Sequence, residues 1–254
     1  MSESSESRRI RFTVAYDGSA YSGWQLQPAK ATVQGRLEQA LEKILGAKVR
    51  VTGAGRTDAG VHALGQVAHF DTTRPLSAGV IQRALNATLP SDIRVRETVE
   101  APESFHARYS ALRKFYRYRI ARRGLPGEPF LSRDHWLYDH DPDYGLLENC
   151  CSLITGEHDF FTFSRQEGAR KNHLCRVYQA HWEKEADTLT FEISANRFLR
   201  GMVRMLAGAM LAVAEGRADL EEFREALSRP GRWLKAVPAP AQGLTLVKVQ
   251  YEEK

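Results

Sequence analysis

Apolar and polar residues alternate from Arg9 to Tyr16, which predicts a strand. Val33, Leu37, Leu41, Ile44 and Leu45 then recur at helical spacing and stop near Gly46, so a helix follows. Strands are predicted at about 48–53 and 65–71. Ser77 has the chemistry of an N-cap for a second helix that carries Ile81, Leu85 and Leu89 and ends at Pro90. Ile93 to Val99 alternates again. The order is βαββαβ, and it recurs. Leu112 to Ile120 reads as a strand, and Leu146, Leu147, Cys150, Cys151 and Ile154 as a helix ended by Gly156. Leu174 to Trp182 and Leu189 to Ala195 read as a hairpin around Glu185-Ala186-Asp187. Helices are predicted over 198–214 and 219–228, and a closing strand over 244–251. Two such runs predict an α+β fold of two ferredoxin-like βαββαβ halves, joined into a mainly antiparallel sheet with a central cleft. The expected division is a disordered tail over 1–8, a first half over 9–107 and a second over 108–254. The similarity is one of pattern, without a residue-level repeat.

Composition narrows the classes. The chain has 254 residues and is 43% hydrophobic, enough for a sizeable core. No apolar run reaches membrane-spanning length, and the polar start Met1–Ser7 lacks a signal-peptide apolar region. Cys150, Cys151 and Cys175 lack zinc-knuckle spacing and read as buried thiols of a cytoplasmic protein. None of the eight histidines pairs at i, i+4 on a predicted helix, and there is neither a P-loop nor a dinucleotide fingerprint, so no metal and no cofactor are expected. The net charge of +5 is modest, but its placement is not even. Arg108 to Arg123 holds seven Lys or Arg and no Asp or Glu, more than the whole net charge. Such a segment is either a surface that tracks a polyanion or an exposed basic strand without a partner. Tyr109, Tyr116 and Tyr118, interleaved there, favour nucleic acid, because bases stack on aromatic rings.

Three places could carry chemistry. The run Gly55-Arg56-Thr57-Asp58-Ala59-Gly60-Val61-His62-Ala63 joins two apolar segments, and its glycines mark a tight turn. A lone carboxylate there, Asp58, two residues after Arg56, is either a covalent nucleophile or a turn residue bonded to its own backbone. On the strand 112–120, Tyr116 and Tyr118 share a face with Lys114, opposite Arg113, Arg117 and Arg119. On the helix 198–214 and the residue before it, Arg197, Arg200 and Arg204 fall at i, i+3, i+7, with Gly201 and Gly208 on the same side and Val203, Leu206 and Met210 opposite. That face is either solvated or built for a phosphate or a buried carboxylate.

The run GRTDAGVHA followed by GQVAHF resembles the signature of the tRNA pseudouridine synthase A (TruA) family. Tyr16-Asp17-Gly18, Gly23-Trp24-Gln25, Phe105-His106-Ala107-Arg108, Tyr116-Arg117-Tyr118, Asn196-Arg197-Phe198, Met202-Val203-Arg204 and Gly243-Leu244 resemble its further blocks, in family order over nearly the whole chain. The resemblance implies an RNA-modifying isomerase that needs no cofactor. Asp58 would be the nucleophile, and Arg56 would fill the gap left by a flipped uridine. Tyr116 would stack on the uracil with Leu244 near it, and Arg204 would pair with Asp58. It further implies action at positions 38, 39 and 40 of the tRNA anticodon stem-loop, bound in the cleft by a homodimer. The same chemistry on another RNA, and a non-catalytic RNA-binding protein of this fold, are the alternatives.

Overall fold

Strand β1 (Arg8–Tyr16) forms where the alternation is strongest, with Ile10, Phe12 and Val14 fully buried on one face. The computed structural model describes residues 6–165, 172–229, 231, 233, 235 and 237–252. Residues 1–5 of the expected tail lie outside this set, and Arg8, assigned to the tail, already opens β1. The chain divides into two units, Met1–Leu112 with Leu246–Lys254, and Arg113–Thr245. The expected division at residue 107 therefore moves to 112, and most of the closing strand belongs to the first unit rather than the second.

In the first unit, helix α1 (Val33–Leu45) is capped by the Thr32 side chain, which accepts the Gly35 N–H, and ends at Gly46. The strand expected over 48–53 shrinks to β2 (Thr52–Gly53). The reason is local: Glu38 accepts the Val51 N–H and Gln34 donates to the Val51 carbonyl, so α1 side chains take the backbone bonds a strand would have used. Strand β3 (His62–Thr72) pairs antiparallel with β1 in the register Ile10↔Phe70 and Phe12↔Ala68. Helix α2 (Ala78–Thr88) starts at the Ser77 cap, as the sequence predicts, and β4 (Ile93–Ala101) pairs with the other edge of β1. Strand β10 (Leu244–Gln250), from Leu246 onward, completes the order β4-β1-β3-β10, with β2 also on β3.

The second unit holds β5 (Arg113–Arg122), α3 (Glu128–Leu131), β6 (Trp136–Tyr138), α4 (Tyr144–Ile154), β7 (Gly156–Asp159), β8 (Leu174–Glu185), β9 (Thr188–Ala195), α5 (Met202–Ala214) and α6 (Leu220–Ser228). Its strand order is β5-β9-β8-β7, antiparallel throughout, with β6 parallel to β5. The short α3, β6 and β7 carry no prediction, because three or four residues cannot display a period. Cys150, Cys151 and Cys175 are buried and unbridged, and burial pushes the Cys150 thiol up to about 12. Among the described residues no helix is long and apolar enough to cross a membrane.

One predicted element changes meaning. Helix α5 starts at Met202, because Gly201 adopts φ 71°, a left-handed conformation open to glycine and strained for most other residues. Arg197 and Arg200 precede the helix, so the three-arginine face does not exist and only Arg204 lies on α5. The close approach expected at its glycines does occur at Gly208, where a Cβ would overlap the Val237 carbonyl oxygen. From Leu206 to Ala214 every residue of α5 is buried.

Gly208→Ala is expected to cost about 1–3 kcal/mol or more, since the obstacle is backbone and cannot rotate away; a thermal melt would show it as a clear fall in Tm. Acid should act through β3. Burial, and then Arg9, lower the His69 pKa to about 4, and its Nδ1 accepts the Ala107 N–H at 3.2 Å. The unfolded chain takes up a proton near pH 6.5 that the folded chain refuses. Stability from His69 is thus complete above pH 6.5 and lost as the pH falls towards 4. Urea titrations should show the midpoint falling through that window. His69→Gln should be less stable at pH 7 but fall less steeply.

Candidate active site

The loop between β2 and β3 is built from the outside in. Segment 16–24 of the first unit clasps it by backbone and hydroxyl. The Trp24 N–H donates to the Thr57 carbonyl at 3.1 Å, the Gly60 N–H donates to the Tyr21 carbonyl at 3.3 Å, and the Gly18 N–H donates to His62 Nδ1 at 3.1 Å. Gly18 sits so close that a Cβ would overlap the Val61 carbonyl oxygen. Below the loop, Tyr16 Oη and Thr57 Oγ1 lie 2.9 Å apart in the core. The β1–β3 register slips between Val14 and Tyr16, a bulge of the kind that re-aims a side chain. Desolvation pushes the Tyr16 hydroxyl far above its usual range, so it stays protonated. Gln66 on β3 donates to the Gly55 carbonyl at 2.8 Å.

These bonds fix the residues on both sides of Asp58. Thr57 is held through its carbonyl and its hydroxyl, and the Val61 N–H donates back to the Asp58 carbonyl at 3.2 Å. Asp58 is half-buried and Arg56 is exposed beside it. The arrangement presents one carboxylate, with a cation two residues away, on a backbone that has little freedom to retreat. Tyr16, Thr57 and His62 carry no functional expectation from sequence, although Tyr16 opens one of the family-like blocks. Their roles depend on contacts across some forty residues, which no local pattern records.

The other expected site residues belong to the second unit. Tyr116 on β5 is nearly buried and meets Phe198 edge to face at 5.0 Å between ring centroids. Leu244 is buried at the start of β10. Arg204 is half-buried, and its Nε donates to the Ala239 carbonyl at 2.7 Å while the Ala239 N–H donates to the Arg204 carbonyl at 2.9 Å. This reciprocal pair sets the plane of the guanidinium. Tyr118 is scaffold: it is fully buried, and its hydroxyl donates to the Pro240 carbonyl at 2.9 Å. Among the described residues no group of three or more His, Cys, Asp or Glu is placed to hold a metal ion.

The basic stretch is less open than its sequence suggests. Arg117 pairs with Glu192 at 2.7 Å, Arg119 with Asp134 at 2.7 Å and Arg123 with Asp139 at 2.8 Å. Arg113 lies over the Tyr178 ring, 4.1 Å from its centroid. The acids come from β9 and from the chain around β6, so a count along the sequence misses them. Of the interleaved tyrosines only Tyr109 is exposed.

The family model described as tRNA pseudouridine synthase matches residues 13–110 and 151–252. The Asp58 loop, Arg204 and Leu244 fall inside the matched stretches, and Tyr116 falls between them. The tRNA pseudouridine synthase A of Chlorobaculum tepidum is 42% identical over 245 residues, 96% of this chain and 98% of that one. Those of Chlorobium phaeovibrioides and a Geobacillus species are each 41% identical, covering 95% and 97% of this chain and 99% of their own. With the clasped Asp58 loop matched and relatives aligned over nearly their whole lengths, the chain belongs to the tRNA pseudouridine synthase family.

Proposed function

We propose that this chain isomerises uridine to pseudouridine in tRNA, at positions 38, 39 and 40 of the anticodon stem-loop, with Asp58 as the nucleophile. The observation that carries the reading is the loop itself: a half-buried carboxylate whose neighbours are anchored on both sides, in a chain of this family. A uridine in a helical stem hides its reacting atoms, so it leaves the stack first. Arg56 fills the gap and holds the displaced nucleotide. Asp58 attacks ribose C1′ or the uracil ring, and the bond between C1′ and N1 breaks. The uracil rotates, C5 bonds to C1′, the bond to Asp58 breaks, and the proton lost from C5 is balanced by one gained at N1. Nothing is oxidised, reduced or hydrolysed overall.

The remaining roles follow from chemistry and family. Tyr116 stacks on the uracil, with Leu244 packed near it. The family resemblance makes Arg204 the partner of Asp58, and the Ala239 carbonyl holding its Nε limits how far the guanidinium can turn. The enzyme works in the cytoplasm as a homodimer, as the family resemblance implies.

Asp58→Ala should form no pseudouridine while binding tRNA within a few-fold of wild type; substantial turnover by the folded variant would overturn the mechanism. Mapping pseudouridines in RNA from cells with and without the gene checks the target, and loss at sites outside tRNA would move the same chemistry to another RNA. Tyr116→Phe keeps the ring face, worth roughly 1–3 kcal/mol per stacked base, and should retain most activity, whereas Tyr116→Ala should lose affinity or rate. Single-turnover kinetics separate these outcomes, and normal kinetics of Tyr116→Ala would return the residue to the scaffold.

A further inference from the structure

The loop 105–110, between β4 and β5, has no part in the mechanism above, yet its backbone is tied down at almost every residue. The Ala107 N–H donates to His69 Nδ1 at 3.2 Å, and the Arg108 and Tyr109 N–H groups both point at His106 Nδ1, at 3.1 and 3.2 Å. Arg9 donates to the Phe105 carbonyl at 2.7 Å, and the Tyr251 hydroxyl donates to the Ala107 carbonyl at 2.6 Å. What this frame carries is not buried. Tyr109 is 77% exposed and lies against the His106 ring, with centroids 4.3 Å apart and planes inclined by 32°. The exposed Arg108 places its guanidinium 5.7 Å from the Tyr109 centroid.

An exposed tyrosine normally keeps its rotamer freedom and pays entropy to bind. Here the anchored backbone and the imidazole against the ring have already removed much of that freedom, while most of the side chain stays exposed. The His106 Nδ1 lone pair receives two N–H groups, so the imidazole is neutral there, and burial lowers its pKa further. A neutral imidazole behind, a largely exposed aromatic ring and one cation over it match a nucleobase, which would take the cation's place on the ring, and its phosphate.

The geometry points to Tyr109 and Arg108 as a second RNA contact, a platform on which one unpaired base of the bound tRNA stacks while Arg108 meets its phosphate. This rests on the reading that the chain acts on tRNA. Affinity and chemistry are therefore measured separately, with the whole chain and one purified tRNA. Tyr109→Ala should weaken binding about 5- to 100-fold with the slope of log K against log salt unchanged, because no charge is removed. Tyr109→Phe should bind like wild type. Arg108→Gln should lower the salt slope by about one. The single-turnover rate at saturating tRNA should be unaltered in Tyr109→Ala, and its Tm should match wild type. Wild-type affinity in Tyr109→Ala, or equal losses in Phe and Ala, would overturn the platform and leave the enzyme reading intact. Failure of the wild type to form pseudouridine would overturn the enzyme reading, while a Tyr109→Ala binding loss would still support the platform.

Discussion

The hydrogen bond between the Tyr16 and Thr57 hydroxyls is the smallest contact on which the Asp58 loop depends. It joins the end of β1 to the residue before Asp58, and both side chains are buried, so losing it costs more than an exposed bond would. The backbone bonds from Trp24 and Gly60 close the loop from above. Together they convert a glycine-rich turn, which on composition should be mobile, into a fixed mount. A carboxylate acting as the proposed nucleophile would gain from such a mount, because the cost of orienting it is met during folding rather than at each encounter with substrate.

The charge distribution follows a related logic. Counted along the chain, Arg108 to Arg123 is an uninterrupted basic run. In the fold, Arg117 and Arg119 find carboxylates on neighbouring elements, and Arg113 finds a ring. These arginines brace the second unit's sheet as much as they colour its surface. Exposed pairs of this kind are individually weak; their effect is to remove cations from the part of the surface that meets a polyanion. Arg108 and Arg56, both exposed, are better placed for RNA than the strand that first draws attention.

Much of this was legible in the sequence. The caps at Ser77 and the stop at Gly46 fall where residue chemistry puts them, because capping is a local bond between neighbours. The two βαββαβ runs are visible because burial of one face imposes a period on each element. What escaped was non-local. The strand over 48–51 gave way to Glu38 and Gln34 on a helix. The start of α5 slipped four residues because periodicity ran through Gly201 without registering its left-handed backbone, and with it went the shared face of three arginines. At the site, Asp58 and Arg56 could be picked out by their motif. Tyr16, Thr57 and His62 could not be assigned a role, since nothing in their spacing says that two segments forty residues apart will meet. Tyr109 and Tyr118 share one basic run, and burial separates the exposed ring from the strut.

The placement of β10 has a consequence in time. From Leu246 onward it lies beside β3 in the first unit, yet the ribosome makes it after the whole of the second unit. At about 5–20 residues/s, β3 is finished roughly ten to thirty seconds before its partner emerges. Until then β2 covers only two of its positions, and the row of N–H and C=O groups that β10 will occupy stands open. An open strand edge is a template for another chain. The half-made protein, rather than the finished one, is therefore the form most at risk of aggregation, and a nascent-chain chaperone would have its longest service on this first unit.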